Sequence, residues 1–256
     1  MSSLFDLTGK TALVTGGGRG IGQAISLAFA AHGARVIVAG RTRATLDETV
    51  GQLRMAGPDA DHFGITMDVG LEADVMRARD EVLSRAGRLD ILVNNAGIDP
   101  HYAPIEKTSP ADWDHIVAIN LTGVFRCCRI LGATMLEHKA GSIINISSVA
   151  GHIAMKRQVP YCATKGGVEQ ITKALAVDWA ENGIRVNAIA YGWIDTDLTN
   201  SILTHPHLGA RLLSRVPMGR FGVLDDAPGA AVFLASKAAS YVTGHSLIVD
   251  GGWTAS

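Results

Sequence analysis

The stretch that decides the fold is TALVTGGGRGIG, residues 11–22. Its first five residues form a short apolar run typical of a buried strand, and a glycine-rich turn follows before a segment of helical length. Glycines let the backbone turn tightly there and approach a pyrophosphate, which would lie on the open N–H groups of the helix start. A plain structural turn is the alternative, but the strand before and the helix after supply the context of a dinucleotide-binding turn.

The same alternation of apolar runs and helical segments continues along the chain, and most runs lack the alternating pattern of half-exposed strands. The predicted strands are 11–15, 35–39, 62–66, 91–93, 142–146, 185–189 and 246–249. The predicted helices are about 20–32, 42–56, 71–87, 109–137, 160–182 and 225–236. This order predicts an α/β fold: a single Rossmann-type domain over 1–256, with a doubly wound sheet of about seven parallel strands and helices on both faces. Residues 193–222 interrupt the alternation with prolines and glycines, and they predict a substrate lid.

Composition narrows the class of protein. Of 256 residues, 47% are hydrophobic and 18% are charged, so the chain can bury a sizeable core. A net charge of −1 without a basic block argues against nucleic acid or an anionic membrane as a partner. The three cysteines show no metal-binding spacing and are expected to be core or half-buried residues. The N-terminus lacks a signal-peptide pattern, and no uninterrupted apolar stretch approaches the ~20 residues of a membrane span, so we expect a cytoplasmic protein.

The end of the second predicted strand favours NADP(H) over NAD(H). An acidic residue there would hold the ribose 2′-hydroxyl, whereas an arginine would accept a 2′-phosphate. The chain has Arg41 at this point and no carboxylate. Arg41 can pair with the phosphate, helped by Arg19 or Arg43. The alternative is that these arginines are solvated surface residues, an interpretation that suits Arg43 best.

A tyrosine and a lysine supply the strongest chemical pattern. Tyr161 and Lys165 are four residues apart and therefore neighbours on one face of a helix. A fixed cation would lower the tyrosine pKa from ~10 towards neutral pH and make the phenol useful in proton transfer. Ser148 lies thirteen residues upstream. The pair alone occurs by chance in many helices, and the serine and the glycine turn make the pattern specific.

With these motifs, the chain resembles the short-chain dehydrogenase/reductase family over nearly all its length. The branch it is similar to contains 3-oxoacyl-thioester reductases, gluconate 5-dehydrogenases and polyol dehydrogenases. The resemblance implies a catalytic set of Asn120, Ser148, Tyr161 and Lys165. It also implies a set of cofactor-binding residues: Gly16, Arg19, Gly20, Ile21, Gly22, Arg41, Asp68, Val69, Asn95, Ala96, Gly97, Tyr161, Lys165, Gly192, Ile194 and Thr196.

The family's mechanism then assigns the roles. Hydride passes between the nicotinamide and a carbonyl carbon, Tyr161 donates a proton to the oxygen, and Ser148 stabilises the growing charge. Lys165 would lower the tyrosine pKa and hold the nicotinamide ribose. Asn120 would kink the long helix and hold a water that links Lys165 to solvent. Ser147 is expected to support the strand end, although a one-residue shift would exchange it with Ser148.

The chain departs from the family pattern where the backbone is expected to pass the nicotinamide. The family usually has Pro-Gly after the sixth strand, where this chain has Tyr191-Gly192. A tyrosine restores an N–H and frees φ. Either Tyr191 is a tolerated substitution with looser nicotinamide positioning, or its phenol reaches the ligand or lid and tunes specificity.

The expected pocket walls are 99–102, the segment after Ser148, and the lid. His101 and His152 are candidates for binding substrate hydroxyls, or incidental residues. Lys156 and Arg157 near the mouth would meet an acidic carrier or a carboxylate, or simply face water.

These features predict an NADP(H)-dependent oxidoreductase acting on a small-molecule carbonyl or secondary alcohol, on a sugar, sugar acid or polyol. A 3-oxoacyl-thioester reductase is the alternative within the class, and a catalytically silent nucleotide sensor is the alternative outside it. A nucleotide-sugar epimerase would need a longer substrate domain than 256 residues allow. The family habit of pairing the last strands and the long helices implies a homotetramer.

Overall fold

The computed structural model describes residues 4–100 and 102–255. Its centre is a sheet of seven parallel strands in the order β3-β2-β1-β4-β5-β6-β7, which confirms the predicted fold class. The strands are β1 Thr11–Thr15, β2 Arg35–Gly40, β3 Phe63–Thr66, β4 Ile91–Asn94, β5 Gly141–Ser148, β6 Ile184–Tyr191 and β7 Ser246–Val249.

Helices connect the strands in turn. They are α1 Gly20–Ala31, α2 Arg43–Ala56, α3 Glu72–Ala86, α4 Pro110–Asn120, α5 Thr122–Ile130, α6 Val159–Trp179, α7 Asn200–Leu203, α8 Pro206–Leu213 and α9 Pro228–Ala235. Short 3-10 turns lie at Ile105–Lys107, Gly132–His138, Val149–Gly151, Ala180–Asn182, Leu224–Asp226, Lys237–Ala239 and Trp253–Ala255. The predicted helix 109–137 is divided, because the α-helix is interrupted at Leu121 and its last turns are 3-10.

Strands β1, β2, β4, β5 and β6 send alternate side chains into two apolar layers, because successive residues of a strand point to opposite faces. In β2, Val36 and Val38 pack with α1, α2 and α9, while Ile37 and Ala39 pack with α3, α5 and α6. Both layers are buried, which explains the continuous apolar runs in the sequence.

The segment Pro110–His138 is long and apolar enough to cross a membrane by length and composition, although charged residues interrupt it. Half of its most apolar window is buried inside the fold, so packing in the second apolar layer explains its composition. Cys127 and Cys128 lie in this layer, and burial raises the pKa of both thiols.

The strand order reverses between β1 and β4, so the connections after these strands diverge and leave a crevice at their carboxyl ends. The segment 193–222 leaves the sheet after β6 and includes α7 and α8. Its two ends are joined by paired backbone hydrogen bonds, from Asp195 N to Gly222 O and from Gly222 N to Trp193 O, both 2.9 Å. It therefore rises from one fixed base beside the crevice.

Candidate active site

A cleft of about 480 Å³ occupies the crevice at the carboxyl ends of the strands. All but two of the site residues predicted from sequence line it, and the exceptions are Gly22 and Asn120. The sequence motifs, which are spread from residue 16 to residue 196, therefore meet in one place.

The glycine turn fits a bound pyrophosphate. Gly16 and Gly20 adopt positive φ angles of 64° and 53°, and a Cβ added at Gly20 would have only Thr196 Cγ2 near it, at 3.9 Å. Helix α1 begins here with no acidic residue in its first turn and no side-chain cap on its N–H groups. An open helix start with a positive dipole end and no competing carboxylate is suited to a phosphate group.

Gly22 does not line the cleft, and packing explains why a glycine stands at this place in the motif. An added Cβ would come within 2.3 Å of Gly16 O and 2.4 Å of Asn95 Nδ2, so only glycine lets α1 approach the turn. Asn95 Nδ2 donates to Thr15 O at 2.9 Å and to Gly16 O at 3.1 Å. Asn95 therefore fixes the shape of the turn from the neighbouring strand.

The arginines at the far end of the cleft are not equivalent. Arg41 lines the cleft and has no ion pair among the described residues. Arg43 instead forms a bidentate ion pair with Asp47 on α2, with its Nη2 2.8 Å from Oδ1 and its Nε 3.0 Å from Oδ2. Arg19 is 75% exposed and lies 3.9 Å from Asp197, a long contact on the surface. Of the predicted helpers, the geometry favours Arg19 over Arg43.

The third strand contributes the expected pair at the side of the cleft. Asp68 Oδ1 accepts from Gly70 N at 2.8 Å, and its own N–H donates to Asp74 Oδ2 at 3.0 Å. Val69 O accepts from Arg126 at 2.7 Å. These bonds fix the backbone at Asp68 and Val69, and both residues line the cleft.

Ser148, Tyr161 and Lys165 come together at the opposite end of the cleft. Ser148 is the last residue of β5, while Tyr161 and Lys165 lie one turn apart on α6. Lys165 Nζ is 5.6 Å from the centre of the Tyr161 ring and donates to Ile146 O at 2.8 Å. The Ser148 hydroxyl accepts from Ala150 N at 3.1 Å and is close enough to the Tyr161 phenol to lower its pKa. Ser147 is buried and its Oγ has no partner among the described residues, so Ser148 is the serine beside the phenol.

The tyrosine pKa differs from the expectation. Burial raises the pKa of Tyr161 above its ordinary value, the charge of Asp99 raises it further, and the nearby Ser148 hydroxyl only partly opposes the rise. Burial also lowers the pKa of Lys165 to about 8, opposed by Asp99 and Glu169. Burial is the largest cause of the shift in both groups, and Lys165 does not lower the tyrosine pKa in this structure. At neutral pH the phenol is protonated and can act as a proton donor.

Asn120 does not line the cleft, but it hydrogen-bonds to the loop that follows β4. It is 1% exposed, and its side chain both accepts from Ile98 N at 2.8 Å and donates to Ile98 O at 2.7 Å. The helix is interrupted immediately after it, at the position of the predicted kink. Ile98 occupies both the oxygen and the nitrogen of the side-chain amide. The water expected from the resemblance would therefore have to bind another group in this region.

Tyr191 lines the cleft, but its phenol is engaged within the protein. Its phenol is buried and donates to Ala227 O at 2.6 Å, and burial raises its pKa. This favours the interpretation of a tolerated substitution over a phenol that reaches ligand or lid. Thr196 lines the cleft with Ile194, and Thr199 holds both by donating to Ile194 O at 2.5 Å and accepting from Thr196 N at 3.0 Å.

The predicted wall histidines have different outcomes. His152 does not line the cleft, because its Nε2 lies 3.0 Å from Ser246 Oγ and 3.2 Å from Glu169 Oε1. These partners favour the interpretation of His152 as an incidental residue rather than one that binds substrate hydroxyls. His101 lies outside the described residues.

Several residues of the site were missed from sequence. Thr42 and Thr45 line the cleft beside Arg41 at the start of α2, a location that the spacing from the second strand could have indicated. Gln158, directly before α6, binds Asp99 through its side-chain amide. No sequence motif indicated that pair, because the two residues are far apart along the chain.

Comparison with known proteins agrees with this geometry. A family model described as enoyl-(acyl carrier protein) reductase matches residues 16–254. The chain is 42% identical to a D-threitol dehydrogenase of Mycolicibacterium smegmatis, over 98% of this chain and 95% of the relative. It is also 42% identical to a galactitol 2-dehydrogenase of Cereibacter sphaeroides, over 98% of each chain.

A solved structure gives the same result. The gluconate 5-dehydrogenase of Burkholderia cenocepacia, crystallised in complex with NADP and tartrate, superposes with a TM-score of 0.94 at 38% identity, over 99% of this chain and 98% of that one. On the combined match of sequence, sheet order and cleft, the chain belongs to the short-chain dehydrogenase/reductase family, and it is an oxidoreductase of alcohol and carbonyl groups.

Proposed function

We propose that the protein transfers a hydride between NADP(H) and a carbonyl or secondary alcohol of a sugar, sugar acid or polyol. The observation that carries the proposal is the convergence of Ser148, Tyr161 and Lys165 at one end of a cleft whose other end holds Arg41. The relatives named for D-threitol, galactitol and gluconate support the substrate class.

The chain's own residues supply the proton and the charge stabilisation. NADPH, when bound, supplies the hydride to the carbonyl carbon. Tyr161, protonated at neutral pH, donates its proton to the carbonyl oxygen, and Ser148 donates a hydrogen bond to the same oxygen as its charge grows. Lys165 holds a proton beside the phenol and is placed to bind ribose hydroxyls. Asn120 keeps the strand-end loop in position through Ile98.

The cofactor preference is proposed from the arginines. Arg41 has no carboxylate partner among the described residues and stands at the end of β2, where a 2′-phosphate would lie. A guanidinium binds phosphate with two parallel hydrogen bonds and full charge complementarity. We therefore propose NADP(H) over NAD(H), with Arg19 as the second cation and the remaining cleft residues as backbone contacts.

The decisive experiment is a panel of carbonyls with NADPH, followed by absorbance at the nicotinamide band. Ketoses, keto-acids of sugars and diketones test the main proposal, and acetoacetyl thioesters test the rival thioester reductase. The matched pair is Tyr161→Phe, which removes the donor, and Tyr241→Phe, which changes a fully exposed tyrosine. We expect turnover of a sugar-type carbonyl that only the first variant abolishes. Tight NADPH binding with failure on every carbonyl would instead support the nucleotide-sensor alternative.

The oligomeric state and the cellular location are proposed from the family resemblance. We propose a homotetramer that pairs the β7 edges and the long helices of neighbouring subunits, in the cytoplasm, with small molecules as ligands and neither nucleic acid nor membrane as a partner. The exposed side chain of Ile248 on edge strand β7 supports a covered edge. Size-exclusion chromatography with light scattering measures the subunit number directly, and a monomeric mass would contradict the proposal.

A further inference from the structure

The turn that follows Ser148 packs directly on α6. The Ser148 side chain accepts from Ala150 N at 3.1 Å and so caps the short 3-10 turn that ends at Gly151. A Cβ on Gly151 would lie 3.0 Å from Lys165 O and 3.2 Å from Glu169 Cγ. This spacing leaves little room for a side chain, so the turn lies close against the helix. The Ser148 hydroxyl and the helix that carries the proton donor are therefore connected through this turn.

A buried carboxylate holds the far end of the turn. His152, the residue after Gly151, places its Nε2 3.2 Å from Glu169 Oε1 and 3.0 Å from Ser246 Oγ. The Ser246 hydroxyl donates to the same Glu169 oxygen at 3.0 Å. Glu169 is 4% exposed and lies one turn after Lys165 on α6. One carboxylate oxygen therefore joins the turn, helix α6 and edge strand β7.

The chemistry of these three side chains determines their hydrogen-bond roles. A carboxylate only accepts, so the ring nitrogen of His152 that faces it has to carry a proton. The Ser246 hydroxyl has one proton, which goes to Glu169, and its oxygen remains able to accept from the ring. Loss of the carboxylate would remove the acceptor that both donors share.

These contacts keep His152 out of substrate binding but connect it to Ser148 through the backbone. His152 N and Ile153 N both donate to Val149 O at 2.9 Å, which closes the turn. The turn is thus capped at one end by the Ser148 hydroxyl and bonded at the other end to α6. Its place on the helix contributes to setting where that hydroxyl lies relative to Tyr161, which is earlier on the same helix.

We propose that Glu169, acting through His152, is a positioning residue that keeps the Ser148 hydroxyl at the carbonyl oxygen of the substrate. The inference rests on the proposed function, in which Ser148 stabilises the charge that grows on this oxygen. Such stabilisation depends on preorganised geometry, and a displacement of about 1 Å can cost about a hundredfold in rate. Loss of the contact should lower kcat and not the affinity for NADPH, because neither residue lines the cofactor cleft.

The test removes the two partners of the carboxylate separately. His152→Ala removes the bond to the turn, and Ser246→Ala, the matched control, removes the bond from β7 to the same oxygen. The value of kcat is measured with NADPH and the keto-sugar that the wild type reduces fastest, and NADPH affinity is measured by fluorescence titration. We expect His152→Ala to lower kcat by about tenfold, part of the roughly hundredfold that loss of a charge-stabilising donor costs. Ser246→Ala should stay within about threefold of the wild type, because it loses one neutral hydrogen bond away from the turn.

Further variants distinguish positioning from a loss of stability. His152→Gln keeps an N–H donor for Glu169 and should restore kcat to within about threefold of the wild type. Glu169→Ala should reproduce the loss of His152→Ala. In a Ser148→Ala background, His152→Ala should change kcat by less than about twofold, because residues that act as a unit are not additive. A merely structural role predicts instead that the two losses multiply.

An active wild type whose kcat is unchanged in His152→Ala would overturn the inference and leave the proposed function standing. Equal losses in His152→Ala and Ser246→Ala, or losses in His152→Ala and Ser148→Ala that multiply, would do the same. A wild type that reduces no carbonyl of the panel would overturn both.

Discussion

Replacing Lys165 with methionine should stabilise the protein near neutral pH while it removes activity. Lys165 is 6% exposed, and burial lowers the pKa of its ammonium from 10.5 to about 8. A shift of this size corresponds to about 3 kcal/mol against the charged form. Methionine has no charge to desolvate, but it leaves Ile146 O without its donor, at a cost of about 1–2 kcal/mol. We expect the variant to be more stable at pH 7 by about 1–2 kcal/mol.

The pH dependence of this difference is the sharper test. Below the folded pKa the lysine is charged in both states, and the native state carries the full desolvation cost. Between the folded and unfolded pKa values the unfolded chain binds more protons, so wild-type stability rises with pH. Integrated from pH 7 to pH 9.5, this effect raises the free energy of unfolding of the wild type by about 2 kcal/mol relative to the variant.

Urea unfolding of both proteins at a series of pH values measures this difference, because other titrating groups cancel between them. Lys173→Met is the control, since Lys173 is exposed on the same helix and its substitution should give a difference that does not vary with pH. If the stability difference between Lys165→Met and the wild type stays constant from pH 7 to pH 9.5, the assignment of a buried lysine with a lowered pKa is refuted.

Three further predictions follow from the site. Arg41→Asp should shift the ratio of kcat/KM for NADPH over NADH by at least about tenfold towards NADH. Arg43→Ala should shift this ratio little, because Arg43 already forms an ion pair with Asp47. Equal shifts in the two variants would contradict the distinction between these arginines. Tyr191→Phe removes the buried hydrogen bond from the phenol to Ala227 O and should cost about 0.5–1.5 kcal/mol in urea unfolding, with the same relative activity on every substrate; a substrate-dependent change would revive a specificity role. Gly22→Ala should lower both thermal stability and NADPH affinity, because its Cβ would meet Gly16 O at 2.3 Å; a variant with wild-type affinity by fluorescence titration would show that the turn can shift.

Local patterns were sufficient to predict the fold. Apolar runs without alternation predict buried parallel strands, and β1 and β7 have the predicted bounds, while the others differ by up to two residues at an end. The predicted helix 109–137 was wrong in its continuity, because the interruption at Leu121 accompanies a contact between Asn120 and Ile98, which are 22 residues apart. Such a contact leaves no signature in hydrophobic periodicity.

The site could be predicted where a motif places its residues and not where packing decides. The spacing of Ser148, Tyr161 and Lys165 placed them together, but not the direction of the tyrosine pKa, which depends on burial and on Asp99. Likewise, Gly22 belongs to the motif yet packs behind the cleft.

The central claim is that this cleft transfers a hydride to a carbonyl carbon with Tyr161 as the proton donor. Its most direct test uses NADPH deuterated at C4 with a keto-sugar, and mass spectrometry of the alcohol formed. We predict one deuterium on the carbinol carbon with the wild type. With Tyr161→Phe, which still binds NADPH, we predict formation reduced by at least about a hundredfold, the usual contribution of a positioned proton donor. Equal deuterium transfer by Tyr161→Phe and the wild type would contradict the account.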